Sequence, residues 1–234
     1  MHMDFQLFGD SDCPVAHINL VRGEQVRIET GSMVFSRDVT IEGHMNSNKK
    51  GVMGALSALG RAVSSGENLF ITTATGESDR GEIVIAPAIP GKIVKLTCHG
   101  AQQYRLNTGA FVACDMGMGY NMIRQNIGKA IFGGTGGLFV METYGDGTML
   151  ASAFGDLMPI DVTPERPVTI DNEHVVAWDA ALDYTIRVAS GVFGFKTGEG
   201  LVNDFTGMGR VYIQTRNLRN LAQALYPYLP HPNN

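Results

Sequence analysis

Glu173 and His174, with Asp171, Asp179 and Asp183, form the densest polar cluster in this sequence. A cluster of this kind could offer ligands to a cation. A metal centre, however, needs two or more His or Cys at strand or helix spacing. His174 has no such companion, because His2, His17, His44, His99 and His231 share no motif with it. The residues favour a capped turn, with His174 kept as a binding candidate. Glu67 and Glu199 occupy matching places in the first and third copies of a recurring phrase, but Gly136 replaces the acid in the second. They read as solvent-facing acids ahead of a strand rather than as an acid/base pair.

Thr30-Gly31-Ser32 and Thr108-Gly109-Ala110 each follow an alternating strand. Hydroxyl and backbone N–H groups there could cradle an anion, as a backbone nest does. The competing reading is a tight turn whose glycine takes a positive φ, and it is preferred because a repeated element needs the same turn each time. A third copy carries Glu173 where glycine stood, which weakens a shared ligand role. Asn172 tolerates left-handed φ, so that turn could shift by one residue. Thr30, Gly31, Thr108 and Gly109 therefore join His174 as the binding candidates. There is no Gly-x-Ser-x-Gly and no phosphate loop, and Gly133-Gly134-Thr135-Gly136-Gly137 lacks the lysine and following helix that a phosphate cradle uses. No catalytic residue, cofactor or metal ligand is assigned.

These residues sit in phrases that recur. Ile28-Glu29-Thr30-Gly31-Ser32-Met33-Val34 returns as Leu106-Asn107-Thr108-Gly109-Ala110-Phe111-Val112 and again as Ile170-Asp171-Asn172-Glu173-His174-Val175-Val176. A second phrase follows each: Gly66-Glu67-Asn68-Leu69-Phe70, Thr135-Gly136-Gly137-Leu138-Phe139 and Gly198-Glu199-Gly200-Leu201-Val202. Two phrases in one order, three times over, predict one structural unit in triplicate, at roughly 1–97, 98–163 and 164–234. Strand alternation is clear at Gln25–Ile28, Lys92–Leu96 and Tyr184–Val188, and Arg210–Gln214 is a further β-rich run. With frequent Gly and Asp punctuation this predicts an all-β sandwich or barrel packed as one body. Helical spacing joins Val52, Leu56, Leu59 and Val63, and again Ile123, Ile127 and Ile131. Both lie between the two phrases, where the third copy has only the glycine-rich Ser190–Phe195. Leu218, Leu221, Ala222 and Leu225 form a last amphipathic helix before Pro227.

Composition narrows the function classes. Among 234 residues, 44% are hydrophobic and 18% charged, as in an ordered globular protein. Net charge is −5 and the eighteen Lys and Arg are scattered apart from Lys49-Lys50, which disfavours a nucleic-acid partner. Cys13, Cys98 and Cys114 have no metal-site or Cys-x-x-Cys spacing and read as reduced thiols of a cytoplasmic protein. No signal peptide is evident, and no apolar window reaches the roughly 20 residues of a spanning helix. The helix at 52–63 has too few flanking cations for a membrane-surface anchor and is expected to pack on the sandwich or on another subunit.

The sequence resembles a family of bacterial, archaeal and mitochondrial proteins of unknown function, named after the yeast mitochondrial biogenesis protein altered inheritance of mitochondria twenty-four. The carrying residues are Glu29–Val34, Gly66–Phe70, Ile85–Gly91, Ile170–Trp178 and Val211–Arg216, and the likeness runs from about Phe5 to Leu225. The departure at Glu173, where the family has glycine, affects that turn alone. The resemblance implies a β-sandwich like that of the tryptophan RNA-binding attenuation protein (TRAP-like), three times per chain in a pseudo-threefold arrangement, and association into trimers. It implies no catalytic residue. The expected function is a non-enzymatic homo-oligomeric scaffold, or a protein binding a small ligand or protein partner in grooves between units. The rival classes are an enzyme whose site forms between subunits, and an RNA binder by fold analogy, for which no basic stripe is present.

Overall fold

The computed structural model describes residues 3–9, 13–44, 71–125, 139–189 and 200–229. It is all-β. After β1 (Asp4–Phe8) come β2 (Val15–Leu20), β3 (Gln25–Glu29), β4 (Met33–Arg37), β5 (Val39–His44), β6 (Ile71–Gly76) and β7 (Gly81–Ile85). Next are β8 (Ile93–Cys98), β9 (Tyr104–Asn107), β10 (Phe111–Asp115), β11 (Met118–Arg124), β12 (Phe139–Gly145) and β13 (Gly147–Ser152). Last are β14 (Leu157–Val162), β15 (Val168–Asp171), β16 (Val175–Asp179), β17 (Asp183–Val188), β18 (Leu201–Thr206) and β19 (Gly209–Gln214), then helix α1 (Leu218–Leu225).

The pairing has one scheme, met three times. β2-β7-β4, β8-β13-β10 and β14-β19-β16 lie side by side, and so do β5-β6-β3, β11-β12-β9 and β17-β18-β15. Successive sets then share sheets. β3 pairs antiparallel with β10, joining Ala113 to Ile28, Cys114 to Arg27 and Asp115 to Val26. β9 pairs in the same way with β16, joining Ala177 to Leu106, Trp178 to Arg105 and Asp179 to Tyr104. Two six-stranded sheets result, β5-β6-β3-β10-β13-β8 and β11-β12-β9-β16-β19-β14, flanked by the sheets β1-β2-β7-β4 and β15-β18-β17.

Among the described residues, three apolar cores lie between these layers. Ile18, Ile28, Ile83, Val112 and Ala113 belong to the first, Leu106, Phe111, Cys114, Val176 and Ala177 to the second, and Ile170, Val175, Trp178 and Phe205 to the third. Strand β10 thus gives Phe111 and Cys114 to one core and Val112 and Ala113 to another. Strand β16 divides Val175 and Trp178 from Val176 and Ala177 in the same manner. A register shift in each strand, between Phe111 and Ala113 and between Val175 and Ala177, allows two consecutive residues to face one side. Trp178 meets Tyr184 and Phe205 edge to face, at ring-centroid distances of 5.0 and 5.5 Å.

The alternating runs at 25–28, 92–96 and 184–188 and the β-rich run at 210–214 correspond to β3, β8, β17 and β19. Helix α1 forms as expected, its N-cap made by Asn217, whose Oδ1 accepts from the Asn220 N–H at 2.8 Å. Ile123 is a correction: it pairs with Val140 inside β11 and lies on no helix face. Val52, Leu56, Leu59, Val63, Ile127, Ile131 and Ser190–Phe195 fall outside the described residues, as do Glu67, Glu199 and Gly133–Gly137. Strand β8 runs across the boundary expected at residue 97. The links on either side of the middle set run together, with the Gly155 N–H donating to Pro90 O at 3.0 Å and the Lys92 N–H to Gly155 O at 3.0 Å. Contact there is so close that a Cβ on Gly91 would lie 1.7 Å from Ala153 O.

Candidate functional site

Each copy of the first recurring phrase forms an arch that carries the chain from a strand of one sheet to a strand of another, and not a hairpin turn. The first is the glycine turn expected. Gly31 has φ +86°, Ser32 N–H and Oγ both donate to Glu29 O, at 3.2 and 2.7 Å, and Thr30 Oγ1 lies 2.8 Å from Thr72 Oγ1. The second differs from expectation, because Thr108–Ala110 is a single 3-10 turn and Gly109 is not among the glycines with positive φ. The third, Asn172–His174, is a 3-10 turn too, capped by Asp171 Oδ1, which accepts from the Glu173 N–H at 3.0 Å. No left-handed residue is needed in a 3-10 turn, which is why Glu173 can stand where glycine stood. Asn172 accordingly does not take up the left-handed conformation considered for it.

His174 is held from both sides. Its Nδ1 lies 2.7 Å from Gln214 O, and its Nε2 lies 2.9 Å from Asn217 Nδ2. A carbonyl only accepts and a carboxamide nitrogen only donates, so these partners assign a neutral ring with its proton on Nδ1. The imidazole ties the end of β19 to the cap of α1. Nearby, Gln214 Nε2 donates to Glu173 O at 2.8 Å, and Arg219 reaches Glu173 Oε1 at 3.2 Å. Asn107, Gly109, Phe139, Phe154, Asn172 and Glu173 border a cavity of about 240 Å³ beside this turn. The structure thus brings Gly109 and the third turn together, and leaves Thr30 and Gly31 on another arch.

The junctions between sets hold a second group of polar residues. Arg105 pairs with Glu142 at 2.5 Å, donates to Leu182 O at 3.1 Å and lies 5.4 Å over the Tyr184 ring, so it links β9 to the strands that follow β16. Arg27 does the corresponding work at the other junction, donating through Nη1 to Met118 O. Asp115 accepts from the Thr148 and Met3 N–H groups, both at 2.6 Å, and Asp179 accepts from the Arg210 N–H at 2.8 Å and Gln102 Nε2 at 3.0 Å. Beside them lie cavities of about 220 Å³, touched by Asn19, Glu24 and Asp115, and about 430 Å³, touched by Gln102, Tyr104, Asp179 and Tyr212. Burial, with Tyr212 adding to it, pushes the Tyr104 hydroxyl up to about 12, so it keeps its proton at neutral pH. Asp171, Asp179 and Asp183, clustered in sequence, are spread over a turn cap, a junction and the start of β17.

Sequence reasoning missed the two arginines, although the signal was present: Arg27 and Arg105 each precede their Thr-Gly pair by three residues, and Asp115 and Asp179 each close a Val-Ala-x-Asp run. Cys98 and Cys114 are buried free thiols, both pushed up by desolvation, and Cys13 is exposed. Among the described residues no group of three or more His, Cys, Asp or Glu could hold a metal ion, and no helix is long and apolar enough to cross a membrane.

Shared sheets, bulged inner strands and polar locks at each junction define an all-β protein. The chain belongs to the family described as mitochondrial biogenesis AIM24, which matches residues 5–216. It is 45% identical to an uncharacterized protein of Streptococcus pyogenes serotype M6, over 99% of this chain and 93% of that protein. The X-ray crystal structure of a Streptococcus pyogenes protein superposes with a TM-score of 0.81 at 43% identity, covering 97% of this chain and all of that one.

Proposed function

We propose that this protein is a non-enzymatic scaffold of three TRAP-like units, bounded by the strand sets 15–85, 93–152 and 157–214, that acts as a homo-oligomer and binds a partner on its assembled surface. The observation that supports this reading is how the candidate polar groups are employed. His174 has both ring nitrogens engaged, Asp171 caps a turn, and Asp115 and Asp179 anchor backbone N–H groups. Groups consumed in this way hold strands in place and are not poised to move a substrate proton. A chain whose chemistry is spent on its own architecture works through its surface, and cyclic self-association is the common form for such a body. A trimer is the assembly the family resemblance implies, and the cysteine pattern favours the cytoplasm. Size-exclusion chromatography with light scattering at micromolar concentration tests it. The expected result is one discrete mass of several chains, and a single-chain mass throughout would overturn the proposal.

A further inference from the structure

We infer that β4 of one copy of this chain pairs antiparallel with β15 of another, remaking between molecules the junction that twice joins the strand sets within one. The inference rests on the self-association proposed above and adds the surface that performs it. In every set the third strand has the same bulge, shown for β4 by the register shift between Met33 and Phe35 against β7. In the second and third sets this strand is covered by the second strand of the preceding set, β10 by β3 and β16 by β9. In the first set no described strand covers it, and β4 is a sheet edge among the described residues. At the other end β15 is an edge as well among the described strands.

Burial records the difference. Val112, Ala113, Val176 and Ala177, the residues that cross each junction into the preceding core, are at most 1% exposed, whereas their counterparts Val34 and Phe35 are 55% and 42% exposed. On the opposite border, Val168 is half-buried where its counterparts Val26 and Tyr104 are buried. A bare apolar edge of this kind is a template for strand addition. The other junctions specify which strand is added and how. Carrying their register across pairs Phe35 with Ile170, Ser36 with Thr169 and Arg37 with Val168, and lays Val34 and Phe35 on the core of Trp178 and Phe205. The occupant is a second copy because the complement of β4 exists on this chain, in the strand that occupies the place of β3 and β9. The contact joins unlike surfaces, so the assembly is a head-to-tail ring or a filament and not a twofold dimer.

Disulfide trapping tests this. In a Cys13→Ser background, which removes the exposed native thiol, Phe35→Cys and Ile170→Cys chains are made separately, mixed, mildly oxidised and run on a non-reducing gel. A Ser36→Cys and Thr169→Cys mixture is run beside them, because adjacent antiparallel pairs alternate in hydrogen bonding and spacing and one of the two favours a disulfide. The expected result is a two-chain product in a mixture and not with either component alone, since β4 does not face β4. A Val34→Lys chain, whose charge lies on an exposed position, should fall to the mass of one chain in light scattering while Val21→Lys, on a turn, leaves the mass unchanged. Products from single components, or an internal disulfide in a Phe35→Cys/Ile170→Cys double variant with no product between chains, would overturn the pairing. So would an oligomer that neither mixture traps and Val34→Lys leaves intact, with the scaffold reading standing. A parent chain that is monomeric throughout would overturn both.

Discussion

The arch β3–β4 and the arch β9–β10 occupy the same place in successive strand sets, yet their second strands live in different surroundings. All five residues of β10 are buried, whereas in β4 only Ser36 escapes exposure. The sequences do not account for this, since Met33-Val34-Phe35 is no less apolar than Phe111-Val112-Ala113. Position accounts for it: among the described strands, β10 has one on either side, and β4 has one neighbour. The lesson is that burial in this fold is assigned by a neighbouring set and not by the residue's own unit.

The largest effect that could break the comparison is at its aromatic residues. Phe111→Ala should lower unfolding stability by about 3–5 kcal/mol, the range for emptying a packed aromatic site. Phe35→Ala, measured in urea at a concentration that keeps chains apart, should cost less than about 1 kcal/mol, as for an exposed residue. Equal losses would mean that β4 is covered within its own chain.

Next in size is the contrast at Cys114 and Ser36, which hold equivalent places. Burial pushes the Cys114 thiol from its ordinary 9.0 to about 12. Below pH 9 both folded and unfolded chains keep this proton, and the fold has the full benefit. As pH rises from about 9 to about 12 the unfolded chain loses the proton first and stability falls. Melting temperature should therefore decline over that window more steeply in the parent than in Cys114→Ala. Parallel curves would show that the thiol is not desolvated as described. The smallest effect lies in the two arches. Gly31→Ala should cost about 1 kcal/mol at its φ of +86°, while Gly109→Ala should be neutral, or stabilising by up to about 1 kcal/mol. Matching thermal melts for the two variants would remove the distinction between the glycine turn and the 3-10 turn.

What was legible in the sequence follows the same division. Strands with one wet face, such as β3 and β17, show plain alternation and are readable as strands. Strand β10 is apolar on both faces, and its bulge breaks the period, so only its place in a recurring phrase marks it. Ile123 shared a four-residue spacing with Ile127 and Ile131 that imitates a helix face, although cross-strand pairing with Val140 governs its conformation. Among the candidate residues, Gly31 was readable from its type. Gly109 was misleading because glycine permits a left-handed turn without requiring one, and Glu173 was the better witness to the 3-10 geometry. Arg27 and Arg105 were hidden for another reason: their partners Met118 and Leu182 lie 91 and 77 residues further along the chain, and only folding brings them together.

The shared sheets also constrain how such a chain can grow or shrink. Each inner sheet is half one set and half the next, so no cut leaves both fragments with finished borders. Adding one whole set would add six strands and move the two sheet edges at β4 and β15 without abolishing either. For a linear gene product of this design, any number of duplications ends in the same unfinished pair of margins, and only curvature that brings the first margin to a last one can complete it.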